Sequence, residues 1–388
     1  MSRRPLWIVG MSIVVLAGGC ARFEQRNREA WLPTGLAGHD DGHAAILVKT
    51  CYLYPVRNWL TAEPLVGRAA ADLDDDGSVP DGSFWAHRDV ASLTGRQLER
   101  GAVDAPPRPP FTVGTLKGTG GSGGFFGSDA TGRRFLFKFD CSEWPEQGTA
   151  AEVIASRVYW AMGYRVPANS IVRVEGTGNE VLDGRRAMAS EFVPGRIRGK
   201  WKFDWFRHRR EVRAMRLVAA WLNDMDRVDT NTLLSVVDGK VYAWLLDFNS
   251  TLGTWQGRPR EPWRGWRHRW DVEWQLVGAA TLGTVRPGYN PECPVASAAL
   301  GRLDDRVDPA AWRGQWPNTA FDRMDAADAA WMSARMARLK RWQIEAMVRA
   351  GRFSDSSDAE RLTDWLMSRR DAIFKCWPPR APADGAGR

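Results

Sequence analysis

A chain of 388 residues is long enough for one large domain or two moderate ones. Hydrophobic residues make up 44% and charged residues 26%, which excludes a disordered or fibrous chain and implies a globular one. The net charge of +8 is spread without a long basic run, so it bears on solubility and anionic partners and does not point to nucleic acid. Twenty-one tryptophans, many interleaved with arginine, point to stacking and cation–π packing rather than one apolar core.

Arg3-Arg4 and the apolar residues 6–16 form a positive start and a hydrophobic run too short for a convincing membrane span. The run ends Leu16-Ala17-Gly18-Gly19-Cys20, which resembles the bacterial lipobox, in which the cysteine becomes a lipidated N-terminus. An ordinary signal peptide and an uncleaved anchor are the competing readings. Lipidation at Cys20 would tie the protein to the membrane of a bacterial envelope, facing the periplasm, and Ala21 after it favours the outer membrane. Cys51, Cys141, Cys293 and Cys376 match no zinc spacing and leave disulfides and free thiols both open.

Residues 21–110 read as a tether and N-terminal extension. Residues 21–45 are polar, and 45–53 are apolar enough for a first strand or helix. Asp72-Leu73-Asp74-Asp75-Asp76-Gly77 resembles a calcium loop, but Ser83 stands where the closing Glu belongs, and a solvated turn explains the stretch as well. Residues 104–110 read as an extended proline-rich linker.

A strand begins at Phe111-Thr112-Val113 and leads into Gly118, Gly120 and Gly123, spaced as GxGxxG. Glycines let a backbone approach phosphates and present its N–H groups to them. A turn at 128–132 and a strand at 134–140 follow, so the order is strand, glycine loop, strand, with Lys138 on the second strand. A dinucleotide-binding fold would open a helix directly after the glycines. A helix is predicted over 148–163, with Glu152 in its first turns and Gly163 closing it. Strands at 166–174 and 187–193 flank the turn Asp183-Gly184. Residues 196–210 are basic with aromatics interleaved, which fits an anionic-surface contact or a solvated helix start.

A helix over 211–222 then delivers a polar loop holding Asn223, Asp224, Asp226, Asp229 and Asn231. So many acids together need a cation or exposure. Two apolar runs form a hairpin around Asp238-Gly239, and the second ends at Asp247-Phe248. An acid and an amide five apart, followed by a strand ending in a second acid, is what metal-assisted phosphoryl transfer needs.

Glycine loop, Lys138, Glu152, Asp226, Asn231 and Asp247 stand in the order of the protein-kinase-like superfamily, and over residues 110–255 the chain resembles atypical bacterial kinases of the HipA and CotH type, and among these it looks most like bacterial lipoproteins carrying that core. Residues 79–88 are similar to an upstream motif of those proteins. The resemblance implies an α+β, two-lobed fold: a small antiparallel β-rich N-lobe over 111–195 and a mostly helical C-lobe over 196–377, followed by a disordered tail. It implies ATP or another nucleoside triphosphate with Mg²⁺ or Mn²⁺. Gly118, Gly120 and Gly123 would cradle phosphates, Lys138 would bind them, and Glu152 would pair with Lys138. Glu191 would lie at the adenine hinge, Asp226 would serve the acceptor hydroxyl, and Asn231 and Asp247 would hold the metal. Departures are Asp224-Met225 where His-Arg is usual, Asp247-Phe248-Asn249 for Asp-Phe-Gly, and no Ala-Pro-Glu segment. The alternative is a catalytically inactive pseudokinase-like lipoprotein that binds a protein or an envelope polymer, and a third reading is a Trp-rich carbohydrate binder.

The Trp- and Arg-rich residues 253–274 suit either a sugar, lipid or anionic-polymer contact or a stacked cover over the core. Residues 324–350 and 357–375 read as amphipathic helices of the C-lobe.

Overall fold

The computed structural model describes residues 23–54, 69–118, 122–269, 271–285, 292–303 and 307–379. The leader with Cys20, Gly120 and the end of the tail lie outside the described residues. The fold is α+β with two lobes, as expected.

The first lobe is a five-stranded antiparallel sheet: β1 (Thr112–Leu116), β2 (Gly124–Ser128), β3 (Arg134–Phe139), β4 (Asn169–Arg173) and β5 (Arg186–Glu191), in the order β1-β2-β3-β5-β4. Strand β3 alternates with a period of two. Phe135, Phe137 and Phe139 enter an aromatic core with Phe111 and Phe125, which leaves Lys138 on the opposite face. Strand β2 is hidden in the sequence by its glycines. They are required there, because a Cβ at Gly124 would strike the Phe137 carbonyl.

Upstream lie helices α1 (His43–Val48) and α2 (Gly95–Arg100). Between β3 and β4 runs helix α3 (Gln147–Ala161), buried along nearly its whole length. Val153 packs with Ile171 and Met188 under the sheet, while Ile154 and Val158 join the main core. The chain leaves α3 through Gly163 at a φ of 108°. A Cβ there would collide with the Trp85 indole, whose Nε1 donates to the Met162 carbonyl at 2.8 Å. Gly163→Ala is therefore expected to destabilise the protein by about 2–4 kcal/mol. An unchanged urea-unfolding midpoint would contradict this packing.

The second lobe contains α4 (Arg210–Leu222), the sheet β6 (Arg196–Gly199), β7 (Thr232–Val237) and β8 (Lys240–Leu245), and helices α5 (Val272–Ala280), α6 (Ala326–Ala337), α7 (Arg341–Arg349) and α8 (Ser356–Cys376). The β7–β8 turn uses Asp238 and Gly239 at φ 48° and 72°, the left-handed pair a two-residue hairpin favours. The helix expected over 324–350 is broken into α6 and α7.

The stretch read as a tether is packed instead. Leu32 and Leu36 are in the main core, and Asn27 donates to the Trp205 carbonyl at 3.0 Å. Phe84, Trp85, Val90, Leu93 and Leu98 extend that core, so much of the N-terminal extension belongs to the body of the fold. The two apolar residues at 32 and 36 are too sparse in a polar background to signal this. All four cysteines after Cys20 are free thiols.

Candidate active site

The register between β3 and α3 is set by Asp140, the first residue after β3. Its carboxylate accepts from Thr149 N at 2.8 Å and from Thr149 Oγ1 at 2.7 Å, doing for the first turn of α3 what an N-cap side chain does. That fixes Lys138 against Glu152. The Lys138 ammonium donates to both oxygens of Glu152, at 2.9 and 3.0 Å, and to Asp247 Oδ1 at 3.1 Å. Lys138 and Glu152 are buried, whereas the Asp247 side chain is 38% exposed and so open to a ligand.

Burial works against the Lys138 charge, but Asp247 and Glu152 outweigh it and raise its pKa. Burial holds the Glu152 carboxyl above its ordinary value. Asp247 goes the other way: burial opposes ionisation, and Lys138 overcomes it. Asp247 also sits at a φ of 54°, a left-handed conformation that Asp tolerates better than most residues and that accumulates at functional sites.

Asp226 and Asn231 form the other half. Asn231 Nδ2 donates to the Asp226 carbonyl at 2.8 Å and to its Oδ2 at 3.2 Å. Burial, then the neighbouring charges of Asp247 and Asp224, push Asp226 up to about 7. The halves are joined by backbone, since Leu246 N donates to the Asn231 carbonyl at 2.9 Å.

The brace of this loop is Arg227, which sequence reasoning passed over. Its guanidinium donates to Asp224 Oδ2 at 2.9 Å, to the Leu246 carbonyl at 2.8 Å and to the Asp247 carbonyl at 2.7 Å. It also lies over the Phe248 ring at 4.8 Å. Asp224 takes a second bond from the Tyr159 hydroxyl at 2.8 Å, so the extra acid of the loop is structural. Asp229 is structural too: it accepts from Phe203 N at 2.9 Å. An arginine directly after the candidate base, three residues from another acid, was the available signal.

Of the glycines, Gly118 and Gly123 are exposed, and a Cβ on either would meet nothing within 4 Å. Their small size therefore leaves room for a ligand and answers no packing demand. Ser122 ties the loop across: its Oγ accepts from Asn249 Nδ2 at 3.4 Å, and its carbonyl from Lys117 Nζ at 3.0 Å. Glu191 ends β5, with its carboxylate 3.5 Å from Arg133. It lines a cavity that contains none of Lys138, Asp226, Asn231 or Asp247, so its side chain is not brought to the cluster.

Elsewhere, the calcium-like loop puts Asp72 in the interior, accepting from Arg210 N at 2.9 Å and 3.7 Å from Arg209. In the Trp-rich segment Arg264 is buried, 3.9 Å from the Trp255 ring centroid and 4.7 Å from that of Trp263, as in a stacked cover. Among the described residues no three His, Cys, Asp or Glu side chains form a metal cage, and no helix is long and apolar enough to cross a membrane.

No family model and no curated protein sequence matches the chain. Among solved structures it is similar to a Helicobacter pylori proinflammatory kinase CtkA, with a TM-score of 0.40 and 11% identity over 68% of this chain and 93% of that one.

Proposed function

We propose that the chain is a kinase-like phosphotransferase, moving a phosphoryl group from ATP or another nucleoside triphosphate to an acceptor hydroxyl with Mg²⁺ or Mn²⁺. The observation that carries this reading is the Lys138 ammonium held by Glu152 and Asp247, with Asp247 just past β8, the hairpin partner of the strand that leaves the Asp226–Asn231 loop. Phosphoryl transfer asks for positioning and charge neutralisation more than for covalent chemistry. Lys138 would hold nucleotide phosphates, and Glu152 would keep it from swinging away. Asp247 and Asn231 offer oxygen donors only, which fits Mg²⁺ binding through one or two side chains plus phosphates and water. The ion, when bound, would neutralise charge on the phosphates. Asp226, poised near neutrality, would orient the acceptor hydroxyl and take its proton.

The pH dependence follows from Asp226. It works as a base when ionised, so kcat/KM for transfer is expected to rise as pH increases through about 7. Stability moves in the opposite sense. The folded state holds this proton more tightly than the unfolded chain, so its contribution is present at acid pH and is lost as pH climbs to about 7. A flat kcat/KM profile between pH 5 and 8 would remove Asp226 from that role.

Thermal unfolding of the full-length protein with ATP and Mn²⁺, together with transfer from γ-labelled ATP, tests the reading. A folded sample that no nucleotide stabilises would sink it. The pseudokinase-like reading is favoured by one contact, since Lys138 engages an Asp247 oxygen that a metal would otherwise take; nucleotide binding without transfer would select it. We also propose that Cys20 anchors the protein to the envelope, where a protein or polymer would be the acceptor. Labelled fatty acid that still enters the Cys20→Ser variant would refute the anchor.

A further inference from the structure

The cavity that Glu191 lines, of about 960 Å³, opens against the linker 191–194 between the lobes. Its walls come from residues 88–108, the turn before β3, the approach to β4, and Trp244. It shares no residue with the Lys138 cluster. Five guanidinium groups line it: Arg88, Arg100, Arg108, Arg133 and Arg165.

Most of these are held in place by backbone carbonyls. Arg88 donates to Trp160 O at 2.9 Å, Arg100 to Val103 O at 3.0 Å, and Arg165 to Ser83 O at 3.0 Å and Gly82 O at 2.6 Å. Arg133 donates to Ala105 O at 3.0 Å and Pro106 O at 2.9 Å. A carbonyl orients a guanidinium without cancelling its charge. Only Arg133 is neutralised, by Asp129 at 2.7 Å and Glu191 at 3.5 Å. Arg88, Arg100, Arg108 and Arg165 form no ion pair with a described residue, and the other lining acid is Asp104, which is exposed. Burial first, then the nearby Arg165 and Arg335, push Arg88 down to about 10, against the opposing charge of Asp81.

Preoriented arginines without carboxylate partners are what phosphate groups bind, through charge-assisted and often bidentate bonds. A recess of this size takes a small molecule, where a membrane surface would need a flat patch. We propose that this cavity is a second binding site, separate from the candidate active site, for a small soluble ligand carrying two or more phosphate groups.

Titration calorimetry with inorganic triphosphate, in the presence of a chelator, tests this on three full-length proteins: wild type, Lys138→Ala, and the triple variant Arg88→Gln, Arg100→Gln, Arg108→Gln. Two of the three replaced arginines are exposed, so the variant keeps its core. The expected result is binding that survives in Lys138→Ala and weakens by about tenfold or more in the triple variant. Binding kept by the triple variant, or lost in a Lys138→Ala sample that still unfolds cooperatively, overturns the proposal. Its outcome does not depend on the candidate active site, which Mn²⁺ and ATP test separately.

Discussion

Asp247→Asn is expected to lower metal-dependent phosphoryl transfer by on the order of a thousandfold or more while leaving the fold in place. The substitution keeps the side-chain volume and, because Asn also tolerates a φ of 54°, the backbone. It removes one negative charge at the group that would face the metal. Lys138 keeps both bonds to Glu152, at 2.9 and 3.0 Å, so the buried ammonium retains a carboxylate. With the Asp247 side chain 38% exposed, its ion pair with Lys138 is partly screened and the stability change should stay within about 1 kcal/mol. Asp226 loses a neighbouring charge that helps raise it, so the residual pH profile should move to lower pH. Transfer at the wild-type rate with unchanged Mn²⁺ dependence would show that Asp247 holds no metal. Transfer lost together with cooperative unfolding would show a structural role instead.

What could be read from the sequence was the part of the site that follows strand and helix periodicity. Lys138 stands on a strand whose alternate phenylalanines declare the buried face, so its own side had to be the other one. Glu152 stands early on a well-marked helix, and the cap from Asp140 brings that helix to the right height. Asp226, Asn231 and Asp247 flank a hairpin with an Asp-Gly turn, which places the ends of its strands together. What stayed hidden depends on contacts between residues far apart in sequence. Nothing local tells that Asp224 pairs with Tyr159 sixty-five residues away, or that Asp229 supports Phe203. Nothing but its place in the chain order marks Glu191. The strand ends near its predicted place, but the side chain turns to Arg133, and the sheet register that decides this has no local signature. The cavity arginines were invisible for the same reason, because they come from three stretches of the chain that only the fold brings together.

The second large effect is expected at Arg227, and it separates a brace from a catalytic residue. Arg227 is buried against Asp224, each side chain only 1% exposed, and its guanidinium spans the loop and the end of the Asp247 strand. Arg227→Met keeps much of the length and the contact with Phe248 but leaves Asp224 ionised in the interior with only Tyr159 to hold it. Removing one partner of a buried pair costs about 3–5 kcal/mol, because the other charge stays uncompensated. Urea unfolding near neutral pH should report that loss. The deficit should shrink as the solution is made more acidic. Burial already raises the Asp224 pKa, losing Arg227 raises it further, and the folded variant can then take up the proton that relieves the buried charge. Adding Asp224→Asn should restore at least half of the lost stability, since the isolated charge goes with it. Transfer in that double variant need not recover, because the carbonyls of Leu246 and Asp247 would still lack the donor that fixes Asp247 relative to Asn231. A deficit below about 1 kcal/mol, or one equal at acid and neutral pH, would mean that Arg227 is not the brace of the loop.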